Sequence, residues 1–148
     1  MDNLLYGKMM LDNANGIDSK MSLLACYLYY VVTCNNEELA SLLKKFYYRE
    51  QKHLLIFLRL ANQLGADPRL WNYYHDHNEY WSPSYINYYQ KNTIILDDII
   101  NKKMKLIKKY QYQIKRISNH HIQIYLKKIM MEEIHSISLL KEFRELIS

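Results

Sequence analysis

The chain predicts an all-α fold: a four-helix bundle made of two antiparallel hairpins, with a long crossover between the second and third helices. Three observations carry this. Helix breakers are scarce: only three Gly and two Pro occur in 148 residues, and none follows Pro83. Apolar residues recur at helical spacing through four long segments. The links between those segments are short, long and short, so that neighbours pair as hairpins and only the middle link can travel the length of a bundle. An all-β fold would need a turn every 8 to 12 residues or so, and the last 65 residues offer no Gly or Pro for one.

The first bundle helix is predicted over residues 17–33. Its inward stripe is Ile17, Leu24, Tyr27 and Val31, and Lys20 falls on the same stripe. A shorter helical stretch over residues 4–11 precedes it, broken around Asn13-Ala14-Asn15-Gly16. The second helix follows the Asn35-Asn36 capping pair, with Glu37 and Glu38 set against the helix dipole. Its stripe runs Leu39, Leu42, Phe46, Glu50, His53, Phe57, Leu60, Leu64, and Gly65 ends it with Pro68 beyond. Residues 66–92 hold both Trp and form the aromatic-rich crossover. The third helix is predicted from Asn92-Thr93 to about residue 117, through Ile95, Ile99, Leu106, Tyr110 and Ile114. Ser118-Asn119 turns the chain. The fourth helix spans about 120–146, with stripe Ile122, Tyr125, Ile129, Glu132, His135, Leu139, Phe143.

Composition bounds the function. Hydrophobic residues make up 49% and charged residues 24%, the balance of a soluble globular chain, read as one domain over residues 1–148. Two cysteines exclude a disulfide framework and a four-cysteine zinc site. Cys26 reads as a core thiol and Cys34 as a helix-end thiol. No leader pattern and no long apolar run opens the chain, so a cytoplasmic protein with no membrane association is expected. The net charge of +5 is unevenly placed. Residues 90–128 hold ten basic and two acidic residues, a net of +8, against −1 before them and −2 after.

Glu50 and His53 stand three apart on one predicted apolar stripe, and Glu132 and His135 do so on another. Residues at i and i+3 share a helix face. A carboxylate and an imidazole desolvated there need partners. A metal ion is one such partner, and O/N donor sets suit iron, manganese or zinc. Two such pairs, on the second and fourth helices of a two-hairpin chain, are a far more specific signal than one.

On these motifs the chain resembles the ferritin-like superfamily, on its rubrerythrin and bacterioferritin side. The resemblance covers nearly the whole length. It extends to Leu64-Gly65-Ala66-Asp67-Pro68-Arg69 and Tyr80-Trp81-Ser82-Pro83-Ser84-Tyr85, which look like the helix-two exit and crossover of small clostridial-type members. It implies a di-iron or di-manganese centre serving peroxide reduction, oxygen-dependent oxidation or iron storage. Such a centre takes one Glu from each of two helices and Glu-x-x-His from each of the other two. Here the pattern departs. The resemblance implies a Glu seven residues before the inward Tyr27, where Lys20 stands. It implies another between Ile99 and Leu106, where the spacing admits Lys102 or Lys103. No Glu occurs in residues 1–36 or 80–131.

Two carboxylates and two ammonium groups sum to zero charge, as four carboxylates and two divalent ions do. The sequence therefore predicts a metal-free pseudo-site in which lysines pair with Glu50 and Glu132, and a structural or partner-binding role. The competing expectation keeps one iron, manganese or zinc ion on Glu50, His53, Glu132 and His135, with peroxidase- or oxidase-type oxidoreductase chemistry; no catalytic residue is assigned. A desolvated lysine acting as base or Schiff-base amine is a third, weaker expectation. Tyr27 and Tyr110 fall on inward stripes, where the resemblance implies hydrogen bonds to the ligand carboxylates and simple core packing is the alternative. His75, His77, His120 and His121 read as surface residues. Lys105, Lys108, Lys109, Lys115 and Arg116 give the third helix a basic face that could meet nucleic acid or an acidic partner. No base-reading motif accompanies it. A homodimer through outer helix faces is the other expected association.

Overall fold

The computed structural model describes residues 2–147. Five α-helices occur in the order α1 (Asn3–Asn15), α2 (Lys20–Thr33), α3 (Glu37–Gln63), α4 (Asn92–Arg116) and α5 (His120–Ile147). Between α3 and α4 lie two short strands, β1 (Trp71–Tyr73) and β2 (Asn78–Tyr80), and a 3-10 turn, Pro83–Tyr85.

The four arms of the bundle are α1 with α2, then α3, α4 and α5. The first arm is bipartite. α1 and α2, 13 and 14 residues, lie end to end along the 27 residues of α3. The break has a local cause. Gly16 closes α1 by donating its N–H to the Asp12 carbonyl, and Ser19 caps α2 by accepting from the Ser22 N–H at 3.2 Å. Gly7 lets α1 approach α3 closely, since a β-carbon there would stand 3.1 Å from Leu64 Cβ. α3 begins under the Asn36 cap, which accepts from the Leu39 N–H at 2.9 Å. It ends in a Schellman turn. Gly65 takes φ +95°, its N–H reaches Asn62, and the Ala66 N–H reaches Ala61. Asn119 caps α5 through the Ile122 N–H.

The crossover contains an antiparallel hairpin, with Trp71 opposite Tyr80 and Tyr73 opposite Asn78, which the aromatic-rich sequence does not announce. Polar side chains of the first arm fasten it. Asn15 donates to the carbonyls of Arg69 and Trp71 at 2.8 and 3.0 Å, Asp12 accepts from Asn72 at 2.7 Å, and Ser22 accepts from the Trp81 indole at 2.9 Å. A buried amide pair, Asn13 with Gln113 at 2.7 and 2.8 Å, ties α1 to α4.

The core runs through all four arms, from Leu11 and Leu23 through Phe46, Phe57, Ile99 and Leu106 to Leu126 and Leu140. Two predicted stripes need correction. On the first arm Ile17 is exposed, Leu24 and Val31 are half-buried, and the inward positions of α2 are Lys20, Ser22, Leu23, Cys26, Tyr27 and Tyr30. On α5 the inward positions are Ile122, Leu126, Ile129, Glu133, Ser136, Ile137 and Leu140. From Tyr125 onward the predicted stripe runs mostly one residue away from the buried one. Among the described residues, no helix is long and apolar enough to cross a membrane.

Candidate functional site

Four ionic side chains meet in the middle of the bundle, one from each arm, and each is fully buried. Lys20 opens α2, Glu50 is midway along α3, Lys103 is midway along α4, and Glu133 lies on α5. The Lys20 ammonium donates to Glu50 Oε2 at 2.8 Å and to Glu133 Oε1 at 2.9 Å. The Lys103 ammonium donates to Glu50 Oε1 at 3.3 Å and to Glu133 Oε2 at 2.8 Å. Each lysine bridges both carboxylates, and each carboxylate bridges both lysines. The result is a closed ring of zero net charge in which all four carboxylate oxygens accept from an ammonium.

The electrostatics follow from that closure. Burial raises the Glu133 carboxyl, but Lys103 and then Lys20 outweigh it and hold Glu133 well below the usual carboxylate range. Burial works against both ammonium groups, yet Glu133 and then Glu50 more than offset it, and the pKa values of Lys20 and Lys103 lie above the ordinary lysine value. Both amines therefore stay protonated, and neither offers a free electron pair for Schiff-base or general-base chemistry.

His53 borders the ring. Its Nδ1 stands 3.5 Å from Glu133 Oε1 and 3.7 Å from Glu50 Oε2, while its Nε2 meets Glu132 Oε2 at 3.1 Å. Burial and the Lys20 charge lower the imidazole pKa, but the neighbouring Glu133 and Glu50 carboxylates prevail and it is raised. Glu132, about a third exposed, joins His53 to Arg49, whose Nε is 3.9 Å away. It is the polar step between the ring and solvent.

The structure thus brings Lys20, Glu50, His53 and Lys103 together, as the sequence places them, but with Glu133 in the position expected for Glu132. His135 points to solvent and Ser136 is buried in its stead, its hydroxyl donating to the Glu133 carbonyl at 2.9 Å. Adjacent glutamates make two registers of α5 available, and the buried ammonium groups are met by the second. Of the two candidate lysines on α4, Lys103 faces the ring. Lys102 turns toward Asp98, which also accepts from Tyr30 at 3.0 Å. Tyr27 and Tyr110 are fully buried beside the ring as core residues, not as hydrogen-bond donors to the carboxylates. The carboxylate oxygens are taken by lysine, and the phenol oxygens have no hydrogen-bond partner among the described residues. Their rings serve instead, with Lys103 Nζ 5.3 Å from the Tyr27 centroid and Lys20 Nζ 5.7 Å from that of Tyr110. Burial raises both phenol pKa values. Cys26 is buried, and burial with Asp98 pushes its thiol up to about 12. Cys34 closes the end of α2.

Glu50, His53 and Glu133 could in principle hold an ion, since one ligand atom from each lies within 4.8 Å of the others. The full donor set does not fit a dinuclear centre. Two ammonium groups fill the space between the carboxylates, a serine stands where a second imidazole is required, and an ammonium a few Å from a divalent ion costs several kcal/mol even at an effective dielectric of about 20.

A bundle of two hairpins with one long crossover and a polar centre shared by all four arms is a ferritin-like fold, and comparison with solved structures agrees. The chain superposes on KatB, a manganese catalase from Anabaena, with a TM-score of 0.87 and 16% identity over 98% of this chain and 73% of that one. A second KatB structure, from Anabaena PCC7120, gives 0.90 and 15% over 99% and 74%. A ferritin-like, diiron-carboxylate protein from Bacillus anthracis str. Ames gives 0.79 and 13% over 97% and 99%. No protein-family model and no curated protein sequence matches the chain.

Proposed function

We propose that this ferritin-like chain is a non-catalytic cytoplasmic protein, with structural or partner-binding work, in which a lysine–glutamate ring takes the place of a di-metal centre. One observation carries the reading: every oxygen of Glu50 and Glu133 accepts from the ammonium of Lys20 or Lys103. An interior so neutralised has no net charge to recruit a cation, and its carboxylate oxygens are already engaged by the two ammonium groups. The subgroup, on the rubrerythrin and bacterioferritin side, rests on the sequence motifs at residues 64–69 and 80–88.

The competing reading is an oxidoreductase that keeps one ion on Glu50, His53 and Glu133, favoured by their mutual closeness. That ion would have to sit a few Å from both ammonium groups, at the cost stated above, and the ring reading is preferred for that reason. Elemental analysis of protein purified without chelators decides between them. The ring reading expects no stoichiometric iron, manganese or zinc. A full equivalent of metal that stays with the chain through gel filtration overturns it.

A further inference from the structure

A second site lies on the outer surface between α4 and α5, away from the ring. An apolar trough runs there, floored by Met104, Ile107, Ile114, Met130, Ile134 and Ile137. Its two halves meet at Gln111, which lines both. Met104 and Ile134 are 42% and 41% exposed, and Met131 on its margin is 59% exposed. These are large side chains that the fold itself leaves uncovered in one recess rather than scattered.

The rim of the trough is cationic. Lys108 and Lys115 line it from α4, seven residues apart, and Lys127 and Lys141 line it from α5, fourteen apart. Steps of seven and fourteen return to the same side of a helix, so each pair edges the trough rather than circling the helix. No carboxylate lines the trough. Among the acids of these two helices, Glu133 lies in the ring, Glu132 meets His53, and Asp97 pairs with Arg144 at 3.1 Å. Lys108, Lys115 and Lys127 have no ion-pair partner among the described residues.

We propose that this trough is a docking groove for an acidic amphipathic helix of a partner protein, with apolar residues at i, i+3/i+4 and i+7 set on the Met and Ile floor and Glu or Asp along both flanks against the lysines. The length fits: fourteen residues of α5 span about 21 Å, roughly four helical turns of occupant. The shape and charge exclude the neighbouring choices. A second copy docked symmetrically would set lysine rim against lysine rim. A bilayer is flat and meets ridges, whereas these side chains line a recess. Nucleic acid gains from projecting cations but nothing from a floor of Met and Ile.

The test uses the full chain and a fluorescein-labelled peptide of about four helical turns, designed with Leu at the floor positions and Glu on the flanks. Its counterpart carries Lys for every Glu. Fluorescence anisotropy is expected to show saturable binding of the Glu peptide, weakening as salt rises, with the Lys peptide at least tenfold weaker. Met131→Glu and Lys127→Glu lie on exposed positions and leave the thermal melt unchanged; each is expected to weaken the Glu peptide about tenfold. Equal binding of both peptides, no binding of either, or indifference to both substitutions overturns the proposal. So does preference for phosphatidylserine vesicles or random duplex DNA over the Glu peptide, or sedimentation of a dimer that the Glu peptide fails to dissociate. None of these readouts depends on metal content, so the groove and the ring reading fail separately.

Discussion

α3 and α5 each spell a glutamate three residues ahead of a histidine, and the bundle treats the two differently. On α3, Glu50 and His53 both turn inward. On α5, Glu132 is partly exposed, His135 faces solvent, and Glu133 and Ser136 take the inward places. The cause lies in how each helix distributes its polarity. The outward face of α3 carries Lys44, Lys45, Gln51, Lys52 and Asn62 alongside the exposed Tyr48 and Leu55, so one stripe is clearly favoured for burial. α5 has apolar residues nearly all round, including the exposed Ile124, Met131 and Ile134, so two adjoining stripes compete. A rotation of about 100° per residue separates them, and the glutamate that can reach two buried ammonium groups decides the outcome. A metal-ligand spacing thus has force only where the helix has a single face to bury.

Four experiments break or sharpen this contrast. The largest effect is expected from Lys103→Met or Lys20→Met, either of which leaves a buried carboxylate short of its counter-charge. A loss of about 3–5 kcal/mol in denaturant unfolding is expected. A loss under about 1 kcal/mol would show that the ring is not closed in solution.

Next comes the attempt to turn α5 into a second α3. The triple variant Lys20→Glu, Lys103→Glu, Ser136→His rebuilds four carboxylates and two imidazoles around one space. It is expected to be unstable without metal and to gain both manganese content and melting temperature when manganese is added, whereas the native chain gains neither. A manganese-dependent rise in the native chain's melt would favour the single-ion reading.

The third is pH dependence. Glu133 has a folded pKa far below its unfolded value of about 4.3, so its contribution is complete above that value and is lost as pH falls through the folded one. Lys20 and Lys103 have folded values above the unfolded value of about 10.4, so theirs is complete below it and is lost as pH rises through the folded ones. The His53 imidazole, whose pKa is raised, adds stability that is complete below its unfolded value of about 6.5 and is lost as pH rises through the folded one. Apart from it, the stability attributable to the ring should be flat between those limits, and Lys103→Met should reduce both shoulders. A ring contribution peaking sharply near neutral pH would contradict the assignment.

The smallest effect separates the two histidines. His135→Ala, at an exposed position, should change stability by no more than about 0.5 kcal/mol. His53→Ala removes an imidazole from among three carboxylates and should cost about 1–3 kcal/mol. Equal costs would return α5 to the register expected from its sequence.

Much of the fold was legible because its signals are local. Asn36, Gly65 and Asn119 mark helix ends by their own chemistry, and breaker-free runs leave long helices no rival. Glu50, His53 and Tyr110 could be placed inward because α3 and α4 are two-faced, whereas Lys20 and Tyr27 fall on a predicted stripe whose apolar members Ile17, Leu24 and Val31 are not buried. Lys102 and Lys103 could not be separated, since adjacent lysines fit the spacing equally and only the tertiary position of Asp98 draws Lys102 aside. The β1–β2 hairpin and the Asn13–Gln113 pair escaped for the same kind of reason. The hairpin is fastened by Asn15 and Asp12, 54 and 60 residues away from the groups they bind, the amide pair spans 100 residues, and neither has a periodic pattern to betray it.

The ring draws one charge from each arm, so both hairpins are stitched through a single knot. Peeling either hairpin away would strand opposite charges in separate apolar halves, with no partial arrangement in which they remain matched. Fraying from one side is thereby disfavoured, and amides flanking the ring on α2, α3, α4 and α5 are expected to exchange together in one opening event.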